Sequence, residues 1–258
     1  METGLLLLAG GFAAGAFGSL LGLGGGLLIV PLLTIGFGLP VREAVGVSLV
    51  CVIVTSSASA GVFLERRQAD LRLGMTLELF TALGAVVGGI VAFLLDERFL
   101  AGLFAVVLLY VASSMIRGSR PRPATEEPSD DRAYRTRNLG AGTAGSVVAG
   151  ILSALLGIGG GLVKVPLMHL VMGVPLRVAT STSNLMIGIT ASASAVVYLL
   201  RGGIDANAAG PTAIGVFLGA SLGSRIGHRL DVRVLRLLFV AVLLFTAYEM
   251  ARRAVGWT

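Results

Sequence analysis

Long apolar stretches separated by short polar clusters dominate the pattern of hydrophobic and polar positions along the chain. Each stretch contains about 17 to 25 residues, the length of helix that crosses a bilayer hydrocarbon core of about 30 Å. The clearest stretches cover residues 44–64, 74–95, 99–116, 178–200 and 234–250. They lack the alternation of apolar and polar residues found in outer-membrane barrel strands. The pattern therefore predicts an all-α polytopic membrane protein.

The charged residues change this picture little, because they lie at the ends of the apolar stretches. Only 13% of the 258 residues are charged, against about a quarter in soluble domains. The net charge of +6 comes from these terminal arginines, without the basic stripe and interleaved aromatics of a nucleic-acid surface. We therefore expect a lipid bilayer, and no nucleic acid, as a partner.

The chain contains an internal repeat. GLGGGLLIVP at residues 22–31 returns as GIGGGLVKVP at residues 157–166, and a gapless shift of 135 positions (157 − 22) aligns the surrounding sequence. Matching pairs include Pro31/Pro166, Pro40/Pro175, Arg42/Arg177, Asp70/Asp205 and Asp96/Asp231. A fixed period of this kind indicates a tandem duplication. We predict an N-terminal transmembrane repeat at 1–116, a cytoplasmic linker at 117–137 and a C-terminal transmembrane repeat at 138–258.

Glycines interrupt the first apolar stretch of each repeat. Residues 4–41 would form a single helix of about 55 Å, which is too long for one crossing. The two pieces therefore form a re-entrant pair or a hairpin of crossings, and three transmembrane helices follow. Because each repeat then makes an odd number of net crossings, we predict two inverted-topology repeats. The inversion collects most arginines on one side, which the positive-inside rule makes cytoplasmic. The linker is then cytoplasmic, and both termini lie on the outer side of the inner membrane.

The glycine breaks are candidate substrate-binding elements. Unwound backbone cannot face lipid, and inverted repeats with broken helices are typical of secondary transporters that bind substrate near the midplane. Glycine lets backbone N–H groups face a ligand, and the positive ends of the following helices favour an anion. The candidates are Gly24, Gly25, Gly26, Gly159, Gly160 and Gly161. The alternative is close helix packing, which is the role that we predict for Gly84, Gly88, Gly219 and Gly223.

A lysine distinguishes the second glycine segment from the first. Lys164 takes the place of Ile29 and lies about 20 Å along a helix from Arg177, too far for its ammonium group to reach the membrane surface. A cation at this depth requires a cavity or a partner. We expect Lys164 to face an anionic substrate. The alternative is a structural ion pair with Glu78, an acidic residue deep inside an apolar stretch.

The helix after each break carries a repeated set of hydroxyl groups. Ser48 and Thr55 lie on one face in the first repeat, and Ser183 and Thr190 recur in the second. We interpret them as candidates for lining a substrate pathway. The alternatives are hydrogen bonds to carbonyls of their own helix and close helix packing.

Three more polar residues are candidates for function. Asn184, matched by Leu49 in the other repeat, is a further substrate-binding candidate. Glu78 and His169 are the candidates for proton coupling, and a polar packing contact is the alternative for His169. The sequence has no His, Cys, Asp and Glu cluster with metal-ligand spacing and no evident Ser-His-Asp set. We therefore predict no metal, no cofactor and no enzymatic activity.

At these residues the chain resembles the TauE/SafE family of membrane permeases, often called sulfite exporters. The resemblance rests on GLGGGLLIVP and GIGGGLVKVP, on the P-x-R that follows each (Pro40-Val41-Arg42 and Pro175-Leu176-Arg177), and on the Ser- and Thr-rich helix after that. It implies an inner-membrane transporter of sulfur-containing anions, such as sulfite or organosulfonates, that works outward. Carried over by position, residues 24–26 and 159–161 would form the substrate cradle.

These observations together predict a secondary transporter that exports a small sulfur-containing anion, held near the midplane between the repeats. The alternatives are a passive anion channel or uniporter and a permease for another small organic anion. A polytopic membrane enzyme or assembly factor has less support, because the sequence offers neither a catalytic cluster nor a substantial extramembrane domain. The many small residues permit a homodimer without requiring one.

Overall fold

The computed structural model describes residues 2–20, 26–65, 69–117, 136–226 and 232–256. Within these ranges the regular structure is helical, as the hydropathy pattern predicts. The helices are α1 Glu2–Leu20, α2 Gly26–Pro31, α3 Val41–Glu65, α4 Leu71–Ala92, α5 Glu97–Arg117, α6 Leu139–Leu156, α7 Gly161–Pro166, α8 Leu176–Leu200, α9 Ala206–Ile226 and α10 Val232–Val255. Short π-helical turns, Leu32–Gly36 and Leu167–Val171, extend α2 and α7. Residues 118–135, most of the predicted linker, lie outside the described residues.

Four of the described helices are long and apolar enough to cross a membrane. These candidate spans are Leu71–Ala92, Glu97–Ile116, Leu139–Leu156 and Val178–Leu200. The apolar runs 44–64 and 234–250 fall within α3 and α10. Large apolar side chains cover the outside of the bundle, and Leu79, Leu94 and Phe245 are more than half exposed. An apolar surface of this extent suits lipid rather than water, so the protein is a multi-pass membrane protein.

Local sequence signals explain where several helices start and stop. The Asp70 side chain accepts a hydrogen bond from the Leu73 N–H at 2.9 Å and so caps the start of α4. Its repeat counterpart, Asp205, accepts from the Asn207 N–H at 2.9 Å just before α9 begins. At the end of α6, Gly157 adopts the left-handed conformation that favours glycine, with φ +67°. The duplicated polar residues therefore mark equivalent helix boundaries.

Helix packing follows the internal repeat. α1 of the first half packs along α9 of the second, and their counterparts, α6 and α4, pack along each other in the same way. α3 packs against its own counterpart α8, and α5 packs against its counterpart α10. Exchanging the two halves therefore leaves these main helix pairs unchanged.

Small residues allow close approach in two helix pairs, α4 with α6 and α1 with α9. A Cβ atom on Gly88 of α4 would lie 2.6 Å from the carbonyl oxygen of Ile151 on α6. A Cβ on Gly84 would collide with the Val147 carbonyl, and one on Gly219 of α9 with the carbonyl of Phe12 on α1. The predicted packing role of Gly84, Gly88 and Gly219 is therefore confirmed.

One end of the bundle is organised around Phe93. The Arg42 guanidinium, at the start of α3, donates to the carbonyl oxygens of Ala92 and Leu95 at 3.1 and 2.9 Å. It also lies over the Phe93 ring, 5.2 Å from the ring centroid. Arg201, directly after α8, lies over the same ring at 5.8 Å. The start of α3, the end of α4 and the end of α8 therefore lie together.

The starts of α4 and α8 lie together at the opposite end. The Asp70 N–H, at the start of α4, donates to the Thr182 hydroxyl in the first turns of α8 at 2.9 Å. The Arg137 N–H, which precedes α6, donates to the Met172 carbonyl oxygen just before α8 at 3.0 Å. α3 therefore begins at the end of the bundle where its counterpart α8 finishes.

Candidate functional site

The second glycine segment separates α6 from α7 inside the protein. α6 ends at Leu156 and α7 begins at Gly161. Gly157, Gly159 and Gly160 have φ values of +67°, +82° and +78°, a backbone conformation that other residues rarely adopt. Glycine is needed here because the chain must turn sharply within a packed interior. In the first half, Gly24 and Gly25 lie outside the described residues, and α2 begins at Gly26.

Ser48 joins Gly26 to the second glycine segment. Its hydroxyl, which is fully buried, lies 2.7 Å from the carbonyl oxygen of Gly157 and 3.2 Å from that of Gly26. A Cβ atom on Gly26 would lie 2.8 Å from the Gly157 carbonyl oxygen. The two chain segments therefore cross in direct backbone contact. Ser48, predicted to line a pathway, thus donates to the backbone of the second glycine segment at Gly157 and contacts the start of α2 at Gly26.

A cavity of about 350 Å³ lies beside the second glycine segment, between α5, α7 and α8. It is large enough for a small ligand. Its polar lining residues are Ser114, Gly161, Thr180, Ser183 and Asn184, and its apolar lining includes Leu162, Val165 and Ile187. Three predicted substrate-binding residues, Gly161, Ser183 and Asn184, are thus brought together.

The Ser183 hydroxyl stands out among the groups that line this cavity. Ser183 is 1% exposed, and its oxygen has no hydrogen-bond partner among the described residues. The Asn184 amide donates to the Thr180 carbonyl oxygen of its own helix at 3.1 Å. A buried hydroxyl without a partner is costly. Ser183 therefore places a buried hydroxyl, without a partner among the described residues, in the wall of the cavity.

A buried cluster of charged and polar groups connects α4, α7 and α8. The Lys164 ammonium lies 2.9 Å from Oε2 of Glu78 and 2.6 Å from the Thr190 hydroxyl oxygen. The same hydroxyl donates to Oε1 of Glu78 at 2.6 Å. The side chains of Lys164 and Glu78 are 1% and 6% exposed. We call these three residues the lysine cluster. The ion pair considered as the alternative for Lys164 is therefore formed, and the cluster is closed to solvent.

The remaining candidates lie apart from this cluster. Thr55, the counterpart of Thr190, donates to the Cys51 and Val52 carbonyl oxygens of its own helix, both at 3.1 Å. A ring nitrogen of His169 lies 2.9 Å from the Val174 carbonyl oxygen, in the turn that leads to α8. Among the described residues, no group of three His, Cys, Asp or Glu side chains could hold a metal ion.

The sequence analysis missed two polar residues of the cavity, Thr180 and Ser114. Thr180 is matched by Val45 in the repeat, the same kind of polar-for-apolar difference that marked Asn184. A complete comparison of the two repeats would have found it. Ser114 carries no such signal, because its place at the cavity depends on how α5 packs against α7 and α8.

These features define the class of protein. A helical membrane protein that holds a buried charge cluster, and a cavity with several polar groups beside an unwound segment, has the characteristics of a membrane transporter. The chain belongs to the family described as Sulfite exporter TauE/SafE, whose model matches residues 7–250. The resemblance predicted from the glycine signature is therefore confirmed.

Known relatives match most of the chain. Probable membrane transporter protein YunE of Bacillus subtilis is 24% identical over 263 residues, covering 95% of this chain and 96% of YunE. Probable membrane transporter protein MJ0441 of Methanocaldococcus jannaschii is 28% identical over 253 residues, with 92% and 91% coverage. Sulfite exporter TauE/SafE family protein 6 of Arabidopsis thaliana is 37% identical over 78 residues, covering 30% of this chain and 18% of that protein. No solved structure matches the chain significantly.

Proposed function

We propose that this protein is a secondary transporter that exports a small sulfur-containing anion, such as sulfite or an organosulfonate, across the cytoplasmic membrane. The observation that carries the proposal is the cavity beside Gly161, where the buried Ser183 hydroxyl has no partner among the described residues. Family membership supports transport, and the sulfite exporter name supports a sulfur oxyanion.

The chemistry of the cavity lining suits an anion. Ser183 and Asn184 carry hydrogen-bond donors that can replace part of an oxyanion's hydration shell. No acidic side chain is among the cavity's lining residues, so a bound anion meets no direct repulsion there. Lys164, one turn into the helix that begins at Gly161, carries the nearby ammonium group, which is paired with Glu78 in the closed lysine cluster. We assign the substrate contact first to the cavity and then to Lys164.

The proposal includes an inverted arrangement of the two halves in the membrane. It is supported by the meeting of Arg42 and Arg201 at Phe93, because these arginines mark the start of α3 and the end of its counterpart α8. The positive-inside rule then assigns the other end of the bundle, with the linker, to the cytoplasm.

Both described chain ends fit this orientation. Gly4 lies near Pro211 of α9, shortly after Arg201, and Gly256 lies against the Arg98 guanidinium at the start of α5. Both termini would therefore lie outside. The first segment would be re-entrant. The first residue of α2, Gly26, contacts Ser48 in the interior. The turn that follows α2 lies near the outer end of α10, because Arg253 donates to the Thr34 carbonyl. Gly26 and the second glycine segment would then meet inside the membrane, where a transporter holds its substrate.

Ligand-dependent stabilisation of the purified protein tests the proposal. Sulfite, sulfate, sulfoacetate, taurine, lactate and chloride are compared by thermal unfolding. A ligand that binds only the folded state adds about 2.7 kcal/mol to the free energy of unfolding at a hundredfold excess over its Kd. We expect sulfite or a sulfonate to stabilise the protein. The proposed substrate class is wrong if lactate or chloride alone does so, and the anion site is wrong if none of the six does.

Two serines of α8 provide a matched pair of variants for the same experiment. Ser183→Ala removes the cavity hydroxyl, whereas Ser192→Ala removes a hydroxyl that donates to the Gly188 carbonyl of its own helix at 2.8 Å. A hydrogen bond to a charged ligand contributes about 1.5–3 kcal/mol, so Ser183→Ala should weaken sulfite binding about tenfold or more. Ser192→Ala should bind sulfite as the wild type does. Equal binding by both variants would contradict the assignment of Ser183.

A further inference from the structure

The lysine cluster, which joins Glu78 of the first half to Lys164 and Thr190 of the second, has no equivalent at the positions related to it by the repeat. The counterparts of Lys164 and Glu78 are Ile29 and Ala213, which are 0% and 9% exposed. The two halves pack their main helix pairs in the same way. The same helix packing therefore forms around Ile29 and Ala213 without any buried charge. A buried ion pair is also a weak source of stability, because desolvation offsets the attraction. The cluster therefore requires an explanation other than folding.

Charge neutrality restricts how Lys164 can bind an anion. In the closed cluster, the positive charge of Lys164 and the negative charge of Glu78 cancel. A singly charged anion that joined both groups would leave a net negative charge buried in the membrane, which is strongly unfavourable. Neutrality is restored when the Glu78 carboxylate takes up one proton and releases the ammonium group. The anion then takes the place of the carboxylate at Lys164.

We infer that Glu78 is a built-in competitor for the substrate anion at Lys164, so that each singly charged anion crosses the membrane with one proton. This inference rests on the proposed transport function. The proton enters from the solution on the side where the anion binds, resides on the Glu78 carboxyl group and leaves with the anion on the other side. Thr190, which contacts both groups, is a positioning residue that holds the carboxylate against the ammonium in the empty state.

Among the described helices that surround Glu78, Lys164 of α7 supplies the charged group that contacts it. α4 packs against α6 and α8, and α8 also packs against α7. α6 contains no titratable side chain, and on α8 Arg177 and Tyr198 lie near opposite ends. Asp70 and Arg72 lie at the start of α4, about 9 Å or more along the helix from Glu78. His169 is engaged with the Val174 carbonyl.

Ile187 lies on the same helix as Thr190 of the lysine cluster and forms part of the cavity wall. It lines the cavity, and its side chain would lie 2.6 and 2.7 Å from Cβ atoms built on Gly159 and Gly161. Thr190 follows about one turn later on the same helix face. The glycines leave room for Ile187 in its present position.

The coupling is tested with radiolabelled sulfite in proteoliposomes at mildly acidic pH, where the singly charged bisulfite ion prevails. Net efflux is measured at several imposed membrane potentials, together with proton movement. We expect efflux that does not depend on the potential and that carries one proton with each bisulfite. Efflux that moves net charge would overturn the inference and leave the transport function intact. Absence of sulfite flux in the wild type would overturn the transport function and the inference with it.

Glu78→Gln separates net transport from exchange. Without the carboxylate, Lys164 binds the anion freely, but the empty carrier must return with an unpaired buried cation. We expect net efflux to fall about a hundredfold while exchange of internal for external sulfite continues. Retained exchange also shows that the variant is folded. Equal loss of net efflux and exchange would overturn the inference.

Two further variants keep this test decisive. Glu249→Gln alters a glutamate on α10 that forms a partly exposed pair with Arg252 at 3.3 Å, and it should change neither flux. Glu78→Asp retains a carboxylate, so it should keep the coupling of one proton per anion at a lower rate. Charge movement in Glu78→Asp, with efflux in the wild type electroneutral, would contradict the proposed role of the carboxylate. Loss of coupling in Glu249→Gln would contradict the assignment.

Discussion

The two halves of the protein share one helical frame but differ in what they place beside their glycine segments. The first half is packed with apolar side chains at three positions where the second half is polar. The pairs are Ile29/Lys164, Val45/Thr180 and Leu49/Asn184, and the three apolar members are fully buried. In the second half, Thr180 and Asn184 line the cavity and Lys164 forms the ion pair. Three differences between otherwise similar halves therefore place polar and charged side chains beside the second glycine segment and apolar side chains beside the first.

Replacing Lys164 with methionine should have the largest effect, because it leaves Glu78 buried without its counter-ion. Loss of one partner of a buried pair costs about 3–5 kcal/mol in the free energy of unfolding, and transport should be abolished. Thermal unfolding in detergent measures the first effect, and sulfite flux measures the second. Ile29→Met, the matched change in the first half, should cost less than about 1.5 kcal/mol.

Adding Glu78→Gln to Lys164→Met provides the control for that prediction. The double variant removes both charges, so it should recover much of the lost stability while transport stays absent. If Lys164→Met alone were as stable as the wild type, the ion pair would contribute nothing. Lys164 and its apolar counterpart Ile29 would then not differ in their contribution to stability.

Single changes at Leu49 and Asn184 test whether a cavity lies beside only the second of the two glycine segments. Leu49→Asn introduces an amide into a fully buried apolar site, and we expect a loss of about 2–4 kcal/mol in the free energy of unfolding. Asn184→Leu should leave stability unchanged or slightly raised but should abolish sulfite flux, because it fills the cavity. Equal destabilisation by both changes would mean that the two sites are packed alike.

The shared frame should respond equally in both halves. A Cβ atom on Gly15 would collide with the Val216 carbonyl, and one on Gly150, its repeat counterpart, would collide with the Thr81 carbonyl. We expect Gly15→Ala and Gly150→Ala to lower the free energy of unfolding by similar amounts of about 1–3 kcal/mol. Gly140→Ala, where no atom lies within 4 Å of the added Cβ, should be nearly neutral. Clearly unequal losses in thermal unfolding would contradict the symmetry of the frame.

The smallest predicted difference concerns two equivalent threonines. Thr190→Val removes a hydroxyl between Lys164 and Glu78, and hydrogen bonds to charged groups contribute about 1.5–3 kcal/mol. Thr55→Val removes a hydroxyl that donates to carbonyls of its own helix, and we expect a loss below about 1 kcal/mol. Thermal unfolding of the two variants side by side checks this. If Thr55→Val lowered the free energy of unfolding more than Thr190→Val does, the proposed role of Thr190 in the lysine cluster would be wrong.

The helical membrane fold, the family and several residues of the candidate site could be predicted from the sequence. Apolar runs of sufficient length require helices in a membrane, and glycine-rich segments marked the family. Lys164 and Asn184 were found because a repeat exposes positions where polar replaces apolar. Glu78 was found because a carboxylate inside an apolar run needs a partner.

The remaining features depend on packing that a single chain pattern does not encode. Thr190 shares a face with Ser183 in the sequence pattern, yet it meets Glu78 only because α4 packs against α8. Ser48 was predicted to line a pathway, but its contacts with Gly26 and Gly157 depend on how the two glycine segments cross. His169 was grouped with Glu78 by residue type, and its bond to Val174 depends on the fold of the turn.

Labelling of single cysteines at equivalent positions tests most directly whether the anion site belongs to the second half. Cys51 is the single cysteine of the chain and is fully buried, so Cys51→Ala provides the background. Asn184→Cys and Leu49→Cys are then treated with a membrane-permeant maleimide, with and without sulfite. We predict that the thiol from Asn184→Cys reacts and is protected by sulfite, while the thiol from Leu49→Cys stays unreactive. Equal labelling of the two thiols, or protection at position 49 alone, would contradict this account.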